Sequence, residues 1–211
     1  MSKIEEIFTA IETGKAKIIA ELVQSAIDEG VDPMEILNHG MVDAMTLIGE
    51  RFSRGEAFVP EMLISARTMK KGVEVLKPHL AKDATTSFST AVIGTVQGDM
   101  HDIGKNLVAM MIESAGFEVV DLEVDVPLER FIEAIQTHPN VRIVALSTLL
   151  TTTMPAMKRI VAGLNELENR SAFRVMVGGA PITEEFAHSI GADGYSPDAA
   201  AAAALAKSLA G

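Results

Sequence analysis

The chain of 211 residues contains no cysteine. That excludes disulfides, Fe–S clusters, thiolate zinc and thiol catalysis. Basic residues are few, 18 Lys and Arg against 29 Asp and Glu, giving a formal net charge of -11. Nonspecific nucleic-acid binding needs a basic face, so no nucleic-acid partner is expected. No signal peptide and no apolar run of ~18 residues is found, so no membrane partner and a cytoplasmic location are expected. A P-loop, Gly-x4-Gly-Lys-Ser/Thr, is missing; Gly104-Lys105-Asn106 only imitates its end. A receiver-type phosphoacceptor needs Asp at the end of the third strand, where Ser147 stands. No tandem repeat is present. What remains is a composition of 48% hydrophobic and 22% charged residues, enough to bury a core in one large or two modest domains. The twelve methionines read as flexible core filler.

The first eighty residues carry apolar positions at three- and four-residue spacing, as in Ile4, Ile7, Phe8 and Ile11. Helices are predicted over 2–11, 14–29, 34–52 and 60–76. Asp32-Pro33 reads as an N-cap with proline at the first helical position, and Pro78 as a stop. Four helices with short connections suggest a small bundle. Residues 81–88 are polar and turn-like and form the expected linker. From residue 89 the period changes. Strands are predicted over 89–96, 117–121, 141–146, 173–177 and 192–195, with helices over 105–115, 128–137, 154–167, 183–190 and 197–209. Strict alternation implies an α/β domain over 89–211, a flavodoxin/Rossmann-like, doubly wound parallel sheet of five strands behind a helical module over 1–80.

Gly98-Asp99-Met100-His101-Asp102-Ile103-Gly104 falls on the loop after the first of these strands, where parallel sheets bind ligands. A loop histidine either makes local hydrogen bonds or ligates. Asp99 forms an Asx turn or accepts from the imidazole, fixing its tautomer and freeing the other nitrogen. Asp102 suits a helix cap. One His and one Asp do not complete a zinc site, which wants about four protein ligands or three plus water. A single His ligand makes more sense where a macrocycle already holds the metal. Ser147-Thr148-Leu149 follows the third strand, as an ST turn leading to Thr153, the expected cap of the next helix, or with Ser147 turned into the same crevice. Gly178-Gly179 follows the fourth strand, as a plain turn or as a strand end bare enough to admit a flat group. In a flavodoxin-like sheet these three strands are neighbours, so the three motifs converge at the switch point.

The set Asp99-x-His101-x-x-Gly104, Ser147-x-Leu149 and Gly178-Gly179 resembles the signature of the cobalamin (B12)-binding domain, in the form that places histidine on cobalt. Gly94-Thr-Val-Gln-Gly-Asp-Met-His-Asp-Ile-Gly-Lys-Asn-Leu-Val108 is similar to the version in methionine synthase and in small corrinoid proteins of methyltransferase systems. Gly49-Glu-Arg-Phe-Ser-Arg-Gly-Glu-Ala-Phe-Val-Pro-Glu61 resembles the helical cap module that precedes it there.

The resemblance implies cobalamin or a related corrinoid, such as methylcobalamin, as cofactor. His101 would be the lower ligand of cobalt and Asp99 its hydrogen-bonding partner. Ser147 would complete a relay or touch the displaced nucleotide tail. Gly104, Gly178 and Gly179 would line the tail's slot, with Thr148 and Leu149 packed beside it. Gly98, Met100, Asp102, Ile103 and Thr151 complete the set expected at the cofactor, and Tyr195 is expected at the far end of the tail. The cap would cover the upper face of the corrin, with Phe58 and Met62 as its expected contacts. A cap and a cofactor domain without substrate domains suggest a stand-alone methyl carrier. It would shuttle between a substrate-specific methyltransferase and a methylcorrinoid:tetrahydrofolate or thiol methyltransferase, with a reductive activation protein as a third partner. The alternative is a B12-dependent sensor or regulatory protein, which would place a DNA-binding helix-turn-helix ahead of the cap; no basic recognition helix is evident.

Overall fold

Ser2 opens the first helix with a capping box. Its hydroxyl accepts from the Glu5 amide (3.2 Å) and Glu5 accepts from the Ser2 amide (2.8 Å). The computed structural model describes residues 2–80, 89–138 and 140–211. The predicted linker, 81–88, lies outside the described residues. The chain divides into two units, Met1–Ser87 with Ser114–Gly116, and Phe88–Glu113 with Phe117–Gly211.

The first unit is helical. Helix α1 (Lys3–Glu12) buries Ile7, Ala10 and Ile11, and α2 (Ile19–Asp28) buries Ile19, Val23 and Ala26. Helix α2 starts five residues later than the apolar spacing predicts. Gly14, at φ +68°, ends the preceding turn, and 15–18 form a tight connection before α2 begins. The Asp32 carboxylate caps Met34 (3.1 Å) ahead of Pro33. One helical stretch follows, α3 (Pro33–Glu35), a π-helical segment Ile36–Val42, and α4 (Asp43–Ser53). A side chain at Gly40 would press on Ile7, 3.1 Å away. Helix α5 (Val59–Leu76) completes the unit and buries Met62, Ser65, Thr68, Met69, Gly72 and Leu76 along one stripe.

In the second unit five parallel strands stand in the order β2-β1-β3-β4-β5. They are β1 (Thr90–Thr95), β2 (Glu118–Asp121), β3 (Val141–Ser147), β4 (Arg174–Gly178) and β5 (Gly194–Tyr195). The connecting helices are α6 (Ile103–Ser114), α7 (Leu128–Thr137), α8 (Met154–Asn165) and α9 (Glu184–Ser189), and α10 (Ala199–Ala210) closes the chain. On one face Val92, Val144 and Val175 pack against Phe131, Met157, Ile160 and Val161. Full burial of such side chains contributes about 1.5–3 kcal/mol each. Gly94 admits the Phe131 ring, which would lie 2.9 Å from any Cβ there. Register decides where function sits: Thr95 pairs with Ser147, and Ser147 with Gly178. The three central strands therefore end level, and their loops leave from one edge. Among the described residues no helix is long and apolar enough to cross a membrane.

Candidate functional site

Asp99 is fully buried at the centre of that edge. Its Oδ1 accepts from the His101 amide (3.0 Å) and meets His101 Nδ1 at 2.6 Å. Its Oδ2 accepts from the Thr148 hydroxyl (2.8 Å), the Leu149 amide (2.7 Å), the Leu150 amide (3.3 Å) and the Thr153 hydroxyl (3.3 Å). Burial by itself pushes the Asp99 carboxyl up. The Leu149 amide, the His101 ring and amide, and the Thr148 hydroxyl outweigh it and hold the group well below the usual carboxylate range. Asp99 is therefore an anion that only accepts. The proton between it and His101 sits on Nδ1, and Nε2 is the ring nitrogen that Asp99 does not engage.

The His101 side chain is half exposed. Its loop is pinned where the Thr95 hydroxyl donates to the His101 carbonyl (2.8 Å). Met100 and Ile103 beside it are 69% and 86% exposed, and Leu149 is 46% exposed. Large apolar side chains left exposed on the loops at this edge form a surface suited to an apolar partner. Among the described residues no group of three or more His, Asp or Glu could hold a metal ion. The site offers one donor, which fits a metal whose other positions are filled by its own ligand.

At the same edge of the sheet a slot of about 270 Å³ opens between α6 and the ends of β3 and β4. Gly104, Leu107 and Val108 of α6 form one wall, the ends of β3 and β4 the floor, and Ser196–Ala199 the far wall. Gly178, Gly179 and Ser147 lie on it. At Gly179, φ is +128° and a Cβ would fall 1.8 Å from the Thr148 carbonyl oxygen, so only glycine fits. A Cβ at Gly104 would meet nothing within 4 Å. The lining of the slot is mostly apolar.

Several expectations shift. Ser147 lies on the slot, whereas Thr148 makes the bond to Asp99; side chains alternate along a strand, so neighbours face opposite ways. Thr153 does not cap α8 with its side chain. Its hydroxyl meets Thr148 Oγ1 (2.5 Å), the Leu150 carbonyl (3.0 Å) and Asp99. The run of threonines before Pro155 was the available sign. The Asp102 carboxylate accepts from the Asn106 amide (3.1 Å). Thr151 is exposed in a 3-10 turn. Tyr195 packs against the core cluster and is not among the residues lining the slot. The far wall is supplied instead by Ser196–Ala199, where Asp198 caps α10 through the Ala201 amide (2.8 Å). In the helical unit Met62 is buried and Phe58 is 67% exposed. Gly98, at φ +88°, donates its amide to Asp125 (2.7 Å). No pattern in the sequence distinguished Asp125.

Two family models, each described as a B12 binding domain, match residues 89–204 and 3–77. A corrinoid protein of Desulfitobacterium hafniense is 38% identical over 214 residues, covering 100% of this chain and 99% of the relative. Trimethylamine corrinoid protein 1 of Methanosarcina acetivorans is 42% identical over 206 residues, 94% of each chain. Among solved structures, the methanol:cobalamin methyltransferase complex of Methanosarcina barkeri superposes with a TM-score of 0.81 at 30% identity, over 99% of this chain and 79% of that one.

Proposed function

The chain belongs to the B12-binding corrinoid proteins, and from that premise we propose that it carries a methyl group between two methyltransferases. One would be a substrate:corrinoid methyltransferase. The other would be a methylcorrinoid:thiol or tetrahydrofolate methyltransferase, and a reductive activation protein would restore the carrier. The relatives named for trimethylamine and the complex named for methanol support this class of partner. In this reading residues 1–80 act as the cap module and 89–211 as the cofactor domain.

When bound, the corrinoid supplies a cobalt centre able to take up and give up a methyl group. The observation that carries the reading is the Asp99–His101 pair at 2.6 Å on the strand-end edge that also holds the glycine-floored slot. His101 would hold the cobalt through Nε2, because Asp99 occupies Nδ1. The Asp99 carboxylate would hold the ring's orientation whether or not the metal is bound. Thr148 and Thr153 keep Asp99 in place and ionised. Met100, Ile103 and Leu149 would offer the corrin an apolar surface. Gly98 and Asp102 shape the loop, and Gly104, Ser147, Gly178 and Gly179 leave room for the tail.

Reconstitution with cobalamin tests the assignment. His101→Ala is expected to lose the nitrogen-ligand signature in the visible and paramagnetic resonance spectra. It should also retain cofactor about 10–100-fold less well. An unchanged spectrum, retention and methyl transfer to a thiol or tetrahydrofolate in that variant would sink the role given to His101.

A further inference from the structure

Glu123 (φ +70°) and Asp125 (φ +55°) are the non-glycine residues in the left-handed region among the described residues. Such a backbone costs of order 1–3 kcal/mol per residue and persists only where its surroundings hold it. Both lie in the short connection between β2 and α7, and its hydrogen bonds run toward the His101 loop. Thr95 donates to the Glu123 carbonyl (3.0 Å), and Val126 donates back to Thr95 (2.9 Å). The Asp125 amide donates to the Asp99 carbonyl (3.0 Å), while the Asp125 carboxylate accepts from the Gly98 amide (2.7 Å). One residue therefore grips the Gly98–Asp99 pair at both ends.

The connection is anchored in turn. The Asp121 carboxylate accepts from the Glu123 amide (2.8 Å) and from the buried Lys105 ammonium (2.5 Å). Lys105 also donates to Asn106 (2.6 Å), whose amide reaches Asp102 (3.1 Å). The loop is thus braced before His101 at Gly98 and Asp99, and after it at Asp102.

We propose that Asp125 is a positioning residue for His101: through Gly98 and Asp99 it fixes where the Asp99 carboxylate meets the ring. The left-handed backbone at Asp125 is what turns its amide and its carboxylate toward the same two neighbours. This inference rests on the reading of His101 as the cobalt ligand.

The test uses the full chain with cobalamin as probe, following affinity by absorbance titration and nitrogen splitting of the cobalt(II) resonance. Asp125→Gly accepts the left-handed backbone but removes the acceptor. Asp125→Asn keeps an acceptor and tolerates the same φ. Circular dichroism checks that both variants fold. Asp125→Gly is expected to bind about tenfold more weakly and to lose the nitrogen splitting. Asp125→Asn should stay within about threefold of the parent. In a His101→Ala background the glycine substitution should cost nothing further, because its effect passes through the ring. Unchanged affinity and splitting in Asp125→Gly overturn the proposal. So does an equal loss in the His101→Ala background, or a loss in Asp125→Asn matching that of glycine. If the parent protein itself shows no splitting that depends on His101, the ligand reading falls first and this inference falls with it.

Discussion

Asp99 does two things at once: it orients the His101 ring with Oδ1 and ties the β3 loop down with Oδ2. Both depend on its charge. A carboxyl whose folded pKa lies below its unfolded value stabilises the fold at any pH above the ordinary carboxylate range, about 3.9. It loses that contribution as pH falls from there through the folded value. For Asp99 the shift is downward. The apoprotein is therefore expected to lose stability on acidification below about pH 4, and Asp99→Asn to flatten that limb while weakening the fold at neutral pH. Urea midpoints across pH 2–7 check this; parallel curves for the two proteins would contradict it. Gly179 makes room for the backbone of Thr148, a partner of the same carboxylate. A methyl group there would fall 1.8 Å from the Thr148 carbonyl oxygen, on the residue whose hydroxyl holds Asp99. Gly179→Ala is expected to cost more than about 2 kcal/mol in urea unfolding, from strain at φ +128° and from displacement of Thr148.

Level strand ends build the site, because Thr95, Ser147 and Gly178 share one register line. The alternation of strand and helix, and with it the sheet, was legible in the sequence because the apolar period changes near residue 89. His101, Asp99 and the glycines were legible because few residue types suit a loop that must ligate, bend and stay bare. The partner of Asp99 was not, since Thr148 and Ser147 are chemically alike and only the strand's alternation decides which faces the carboxylate. Asp125 was hidden because its left-handed backbone has no marker when the residue is not glycine. The far wall of the slot was missed for a related reason: Asp198 reads as the cap of an alanine-rich helix, and capping does not reveal what the helix faces. Gly104 shows the opposite case, a glycine the apoprotein does not require. It stands at the second position of α6 with open space around any Cβ, yet it lines the slot. Gly104→Ala is expected to stabilise the apoprotein by roughly 0.5–1 kcal/mol through helix propensity. The added methyl group should narrow the slot and weaken cobalamin retention. Unfolding and absorbance titrations on one preparation separate the two effects, and unweakened retention would remove Gly104 from the tail's path.

At the scale of the whole molecule, every group assigned to the corrinoid except the cap lies between residues 89 and 199, within the α/β unit. The division matters for how binding is read. A ligand that binds only the folded state stabilises what it binds by RT ln(1 + [L]/Kd), about 2.7 kcal/mol at one hundred times Kd. Slow amide exchange reports opening of the elements that hold the ligand. Strands β1, β3 and β4 end at the site and are mostly buried, so their amides exchange by large openings that would expel the corrinoid. With cobalamin at one hundred times Kd, exchange over 90–95, 141–147 and 174–178 should slow by as much as about 100-fold, the factor equivalent to 2.7 kcal/mol. Peptides from α1 and α2 measured in the same sample read the helical unit separately. Mass spectrometry of the exchanged chain resolves these segments. If the three strands gained no protection while the protein remained saturated with cobalamin, the slot at their ends could not be where the cofactor is held.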